Sequence, residues 1–271
     1  PFIARTPEDI IEAAGSKYCP VPANIALREI LREPGKYAVV GLPCHIQGIR
    51  KAEMINRKLR ERIVYHLGIV CNHTPSFMAT EFLLKRLGVR REEVTGIRYR
   101  GDGWPGSLKV ETVSGDILLL LPEYWGSGFG QLFKPSRCRR CCDHMAELSD
   151  MSFADPWLRE FEGEKKGKTL IVLRKGLGIL DELKDEGLCQ LQPLEPDKVL
   201  TSQLYNIYMK KKIYMIDNEL YKGRFPRIDF IDRLISLFEP EKLKIPEKLM
   251  LKYVILYSIL VSLKARRDFL R

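Results

Sequence analysis

The sequence predicts an α/β protein: a partly parallel sheet with flanking helices, a β-rich middle segment and a helical C-terminal extension. Three observations lead there. A strand–cysteine–helix unit occurs twice in succession between Tyr37 and Gly88. From Glu92 to Leu121 the pattern changes to short apolar runs punctuated by Gly and Pro. From Asp197 onward the chain reads as helix and turns basic.

Taken in order, "RTPEDIIEAAG" opens a helix, with Thr6 as cap, Pro7 in the first turn, Asp9 at the capping-box position and Gly15 as its end. "PANIALREILREPG" is a second helix with Ile25, Leu27, Ile30 and Leu31 on one side. Tyr37–Val40 is a buried-strand run, and one helix is expected from His45 to Ile63. "IVYHLGIVC" repeats the strand and ends at Cys71. "TPSFMATEFLLKRLG" repeats the helix, with Pro75 just inside its start and Gly88 at its end. In a βαβα sequence the strands run parallel, so Cys44 and Cys71 both fall at carboxyl ends, the edge where open α/β sheets bind ligands.

Further on, "EEVTGIRYRGDGWPG" is a strand and a Gly/Pro loop, and "SLKVETVSGDILLLL" is a hairpin about Ser114-Gly115-Asp116. The stretch from Pro122 to Cys142 is expected to be a long functional loop. "MSFAD" and "TLIVLR" are strands, "GLGILDELKDEG" a helix and "CQLQPL" a final strand. Leu249–Leu263 is strongly apolar but shorter than the ~20 residues of a spanning helix. A core or partner-binding helix is expected there, with a membrane-surface helix flanked by Lys248, Lys264, Arg266 and Arg267 as the alternative. The organisation expected is a first domain over 1–157, the remainder of it over 158–225, and a basic helical extension over 226–271.

Composition narrows the function. With 45% hydrophobic and 30% charged residues the chain can build a core, which excludes wholesale disorder. Seven cysteines are too few for a disulfide scaffold, and the odd count leaves one unpaired. The start is polar and acidic, unlike a signal peptide, so a cytoplasmic location is expected, where clustered thiols serve as metal ligands or redox centres. Residue 1 is Pro, which suggests the later part of a longer polypeptide. The net charge of +10 is concentrated in residues 210–271, which hold fifteen Lys/Arg against eight Asp/Glu. Such a tail suits anionic partners, whether an acidic subunit, a membrane face or a phosphorylated cofactor. No nucleic-acid motif accompanies it, so no nucleic acid is expected.

Cys138 and Cys141 form a C-x-x-C in the long loop, and with Cys44 and Cys71 they make a four-thiolate set suited to zinc or to a 4Fe–4S cluster. Two isolated strand-end ligands plus one close pair favour the cluster over the paired knuckles of structural zinc. Cys142 is an alternative to Cys141, and Cys19 and Cys189 read as non-ligands. Arg137, Arg139 and Arg140 carry charge that would offset a cluster's thiolates.

Five stretches together, "AGSKY" (14–18), "GLPCHIQGIRKA" (41–52), "CNHTPS" (71–76), "IRYRGDGWPG" (97–106) and "CRRCCDHMAELSDMSFADPW" (138–157), resemble the family of coenzyme F420 hydrogenase and dehydrogenase beta subunits. The resemblance spans about residues 6–225. It implies FAD, a 4Fe–4S cluster on Cys44, Cys71, Cys138 and Cys141, and electron exchange between a reduced deazaflavin and a one-electron partner, either a subunit or a ferredoxin-like domain; residues 1–157 would then be the flavin and iron–sulfur domain and 158–225 the rest of the catalytic domain. The sequence has Ala154-Asp155 where the family pattern is Gly-Asp, and no glycine-rich segment precedes "SKY". With the resemblance, Ser16, Lys17 and Tyr18 become flavin-binding candidates, and Thr74 and Ser76 offer a helix start to an anion. Arg98 and Arg100, expected on one side of a strand, join Gly101, Trp104 and Gly106 as a cradle for a flat ring and phosphate. His45 and His73 are candidates to hydrogen-bond around the cluster. The competing readings are a zinc-stabilised binding module and a non-catalytic scaffold of the redox family.

Overall fold

A computed structural model describes residues 1–139 and 141–221, without the side chains of residues 131, 136, 139, 177 and 212–221. Arg140, the basic extension 226–271 and the apolar run Leu249–Leu263 therefore lie outside the described residues.

Helix α1 (Pro7–Ala13) starts as its sequence dictates: the Asp9 amide donates to Thr6 Oγ1, and the Thr6 amide donates to Asp9 Oδ2. Thr6→Ala is expected to cost about 1 kcal/mol, read as a shift in the urea midpoint. After α2 (Ile25–Arg32) comes β1 (Tyr37–Gly41). The single long helix expected next is two, α3 (Pro43–Ile55) and α4 (Arg57–Arg62). Asn56 divides them, because its side chain accepts from the Leu59 amide and caps α4. Strand β2 (Ile63–Ile69) stops two residues short of Cys71. Helix α5 (Phe77–Leu87) begins after Ser76, so Pro75 precedes the cap, and Gly88 closes it in the left-handed conformation.

Strands β3 (Val94–Gly101), β4 (Ser107–Thr112) and β5 (Gly115–Leu120) form an antiparallel sheet in that order. The hairpin turn lies at Val113-Ser114, and Gly115 already begins β5. The expected loop after Leu121 is mostly helical: α6 (Leu121–Tyr124), a π-turn over Trp125–Phe129, α7 (Gly130–Leu132) and α8 (Ser136–Arg139). Its glycines hide the periodicity, yet Glu123 caps α6 by accepting from the Leu120 amide, and Tyr124 and Phe129 are fully buried. A side chain at Gly130 would collide with the Trp125 ring, 2.5 Å from the nearest ring atom, so glycine is required there.

Strands β6 (Met151–Ala154) and β7 (Leu170–Leu173), then α9 (Leu177–Asp185) and α10 (Pro196–Tyr221), complete the described chain. The strand expected at Cys189–Leu194 does not form. The Leu188 and Cys189 amides instead donate to the Leu183 carbonyl, tying the segment to the end of α9.

The main sheet has the order β1-β2-β6-β7, with β1, β2 and β6 parallel and β7 antiparallel. Ile30, Val39, Ile46, Ile49, Leu59 and Ile63 close one face under α2, α3 and α4. A second core of Ala79, Leu83, Leu84, Leu108, Val110, Tyr124 and Phe129 joins α5 to the antiparallel sheet and the π-turn. The parallel arrangement sets the ends of β1, β2 and β6 along one edge. Among the described residues no helix is long and apolar enough to cross a membrane.

Candidate functional site

At that edge β1 delivers Cys44, in the first turn of α3, and β2 delivers Cys71. The cysteine loop returns to the same place: the Cys71 amide donates to the His144 carbonyl, and the Val70 amide to Phe153. The ionisation of Cys44 is influenced by Cys138 and Cys141, and that of Cys71 by Cys138, Cys44 and Cys141. All four predicted thiols thus sit within electrostatic reach of one another, and all are free and partly shielded. Among the described residues no three Cys, His, Asp or Glu side chains converge closely enough to chelate a single ion.

Burial pushes the Cys71 thiol up to about 12, opposed by Lys210 and reinforced by the three other cysteines. Burial also raises Cys44, against the charge of Arg137. Cys142 lies within electrostatic reach of Lys211, which pairs with Glu147. Cys19 lies beside Tyr99, away from the four.

Two residues beside these thiols that the sequence does not single out come from α10. Lys210 Nζ donates to the Asp143 carbonyl at 2.8 Å and lies 3.5 Å from Cys141 Sγ. His144 bridges the Cys71 carbonyl oxygen through Nδ1 and the Gln203 side-chain oxygen through Nε2, each at 3.1 Å. Gln203 in turn donates from Nε2 to the Asp155 carbonyl at 2.8 Å.

The two predicted histidines are both nearby. His73 donates from Nε2 to the Gly130 carbonyl, and burial lowers it to about 4, helped by Lys134. Its Nδ1 is buried without a hydrogen-bond partner among the described residues. Burial, then Arg137, lowers His45 as well.

Next to the thiols is an arginine–aromatic cluster. Arg100 at the end of β3 pairs with Asp155, just past β6, at 2.8 Å, and donates from Nε to the Pro105 carbonyl at 2.6 Å. Burial lowers the Arg100 guanidinium, but Asp155 and Tyr18 outweigh it and hold the group above its ordinary value. The Tyr18 ring also packs against Trp125, tilted by 55° with centroids 4.7 Å apart. Trp104 packs against Trp157 with the rings tilted by 42° and their centroids 5.0 Å apart, and its buried indole N–H has no partner among the described residues. Gly106, at φ 89°, makes the Trp104 turn possible: a side chain there would stand 2.7 Å from the Gly101 carbonyl oxygen.

Other predicted positions are not drawn into this cluster. A β-bulge between Arg98 and Gly101 breaks the alternation expected to set Arg98 beside Arg100. Arg98 is exposed and paired with Asp102 instead. Lys17 caps α1, donating to the Ala13 and Ala14 carbonyls. Ser16 is half-buried beside it, and the Ser76 amide donates to the Phe133 carbonyl, while Thr74 is half-buried.

Fold and site together define an α/β protein that gathers four thiols, and an arginine–aromatic cluster linked to them through Gln203, at the carboxyl edge of parallel strands. The family models agree. The chain belongs to the family of coenzyme F420 hydrogenase/dehydrogenase beta subunits, matching the model of their C terminus over residues 35–197 and that of their N-terminal part over residues 1–28. It is 28% identical over 220 residues to the coenzyme F420 hydrogenase subunit beta of Methanothermobacter thermautotrophicus, covering 78% of this chain and 73% of the relative. It is 29% identical over 192 residues to the coenzyme F420 hydrogenase subunit beta of Methanococcus voltae, covering 67% of this chain and 65% of that relative. A chain of the F420-reducing NiFe hydrogenase complex of Methanosarcina barkeri shares the fold, with a TM-score of 0.58 at 20% identity over 81% of this chain and 74% of that one.

Proposed function

We propose that the chain is an electron-transferring subunit of an F420-linked oxidoreductase, holding FAD and a 4Fe–4S cluster and working with a one-electron partner subunit. The observation that carries this reading is the mutual placement of Cys44, Cys71, Cys138 and Cys141 at the sheet edge. FAD exchanges hydride with a deazaflavin and single electrons with an iron–sulfur cluster, which is the chemistry a junction between the two needs.

The residues suit both groups. A thiol raised to about 12 stays protonated at neutral pH unless a metal takes its place on sulfur, so Cys71 is inert as a free thiol and suited to a ligand. Ligands around a multi-iron cluster bind different irons, so they stand further apart than four sulfurs on one zinc, about 3.8 Å from each other at tetrahedral Zn–S distances. Lys210 and Arg137 supply positive charge on two sides of the thiols. Arg100 offers a held cation for a phosphate or an anionic ring, Trp104 and Trp157 offer flat faces, and the unpaired indole N–H offers a donor to a ring carbonyl. Gln203 ties the Asp155 backbone to His144 and so holds the two clusters in register.

Analysis of protein purified without oxygen tests this reading. About four irons, equivalent sulfide and one FAD per chain are expected, together with oxidation of reduced F420 by an artificial one-electron acceptor. Zinc without iron or flavin would replace the reading with a zinc-stabilised module, and neither metal nor flavin would leave a scaffold.

A further inference from the structure

Lys210 is a lysine with only 5% of its surface exposed, in a stretch of chain that reads as a solvated basic helix. Its Nζ reaches the Asp143 carbonyl at 2.8 Å and Cys141 Sγ at 3.5 Å, and its charge acts on Cys71 as well. Gln203, seven residues earlier, lies two turns away on the same face of α10 and holds His144 and the Asp155 backbone. One helix face therefore spans the cysteine loop from Asp143 to Asp155. The next residue, Lys211, forms an ion pair with Glu147 and is the lysine that senses Cys142. Of the two adjacent lysines, Lys210 is the one at hydrogen-bond distance from Cys141 and the one whose charge acts on Cys71.

We propose that Lys210 is a positioning residue for the four-cysteine site: its buried ammonium group donates to the Cys141 sulfur and raises the reduction potential of the cluster held there. This rests on the iron–sulfur reading above. Adding an electron to a cluster increases its negative charge, and a fixed cation at hydrogen-bond distance from a ligand sulfur stabilises that state more than the oxidised one. Burial strengthens the effect, since a surface lysine at the same distance would be screened by water. Arg137 does not duplicate this role, because its partners are Cys44 and His45 and its side chain is exposed.

The test is a potentiometric titration followed by electron paramagnetic resonance on the full-length protein, with iron and sulfide measured on each sample. Lys210→Gln removes the charge and keeps a polar head. Lys210→Met keeps the length of the stem and reads the same shift if Gln disturbs the packing. Both are expected to retain iron and to lower the reduced-to-oxidised ratio at a fixed poise by about tenfold, which is about 59 mV for one electron. Lys210→Arg keeps the charge and is expected to fall between them and the wild type. Lys211→Gln is expected to leave the midpoint unchanged. Iron-loaded Lys210→Gln and Lys210→Met with wild-type midpoints would overturn the role of Lys210 while leaving the cluster standing. A wild type without iron or sulfide would overturn the functional reading itself.

Discussion

Cys71→Ser lowers the iron content of the anaerobically purified protein and slows electron transfer from reduced F420 to a one-electron acceptor. The expected loss exceeds the roughly 10- to 100-fold that removal of a mere hydrogen-bond partner of a metal ligand costs. The effect is large because of where Cys71 sits: burial is the main force that pushes its thiol up to about 12, and the other three cysteines add to the rise. A serine hydroxyl at the same place would have to lose its proton against the same burial, and it is a far weaker acid than a thiol. Cys142→Ser is the matched control. Cys141 acts on both Cys44 and Cys71 and is the proposed ligand, so for Cys142→Ser iron content and rate are expected to stay at the wild-type level. Full iron in Cys71→Ser, or loss of iron in Cys142→Ser, would reverse the ligand assignment.

The largest expected effect on stability is at Asp150, whose side chain is 9% exposed just ahead of β6. Its Oδ2 accepts from the His66 amide at 2.7 Å and faces His66 Nδ1 at 3.1 Å, while Oδ1 accepts from Arg50 Nη2 at 3.0 Å. His66 Nε2 is 2.7 Å from Glu53, so one buried imidazole joins two carboxylates across β2 and α3. Asp150→Ala removes the acceptor shared by the His66 amide, the His66 ring and Arg50, and losing buried hydrogen bonds to a charged group costs about 1.5–3 kcal/mol. A urea or thermal unfolding curve measures it, and a loss below about 1 kcal/mol would mean that the network is not holding the sheet to α3.

The same carboxylate sets an acid dependence. Burial pushes Asp150 up, but the His66 amide and ring and the Arg50 guanidinium outweigh it, leaving the group below its ordinary value. A carboxyl depressed in the fold lends stability that is fully present above its unfolded value, near pH ~3.9, and is lost as pH falls through the depressed one. Asp150→Asn is therefore expected to flatten the acid limb of stability against pH relative to the wild type. An unchanged limb would locate that dependence in other carboxylates.

Much of the site was legible because it depends on local pattern and on the handedness of parallel strands. Cys44 and Cys71 each follow a short apolar run and precede a helix, and right-handed crossovers leave no choice but to bring such positions to one edge. The Thr6–Asp9 capping box and the Gly88 helix end are likewise decided within a few residues. Arg98 and Arg100 show where that reasoning stops. Period-2 alternation puts them on one side, but pairing with β4 introduces a bulge, and register is a property of two strands rather than one. The expected strand at Cys189–Leu194 fails similarly, since its first amide finds the end of α9 instead.

The amino-acid sequence by itself determined the alternation of strands and helices, the strand-end cysteines and the family, because periodicity, caps and motif order are written in contiguous residues. Only the tertiary structure brought Lys210 Nζ against Cys141 Sγ and Gln203 against His144, and so put α10 beside the candidate site. A lysine on a basic helix looks the same whether it meets water or a sulfur. What separates the two is the path of α10 across the cysteine loop, a contact made between residues some 70 positions apart, for which no local pattern exists.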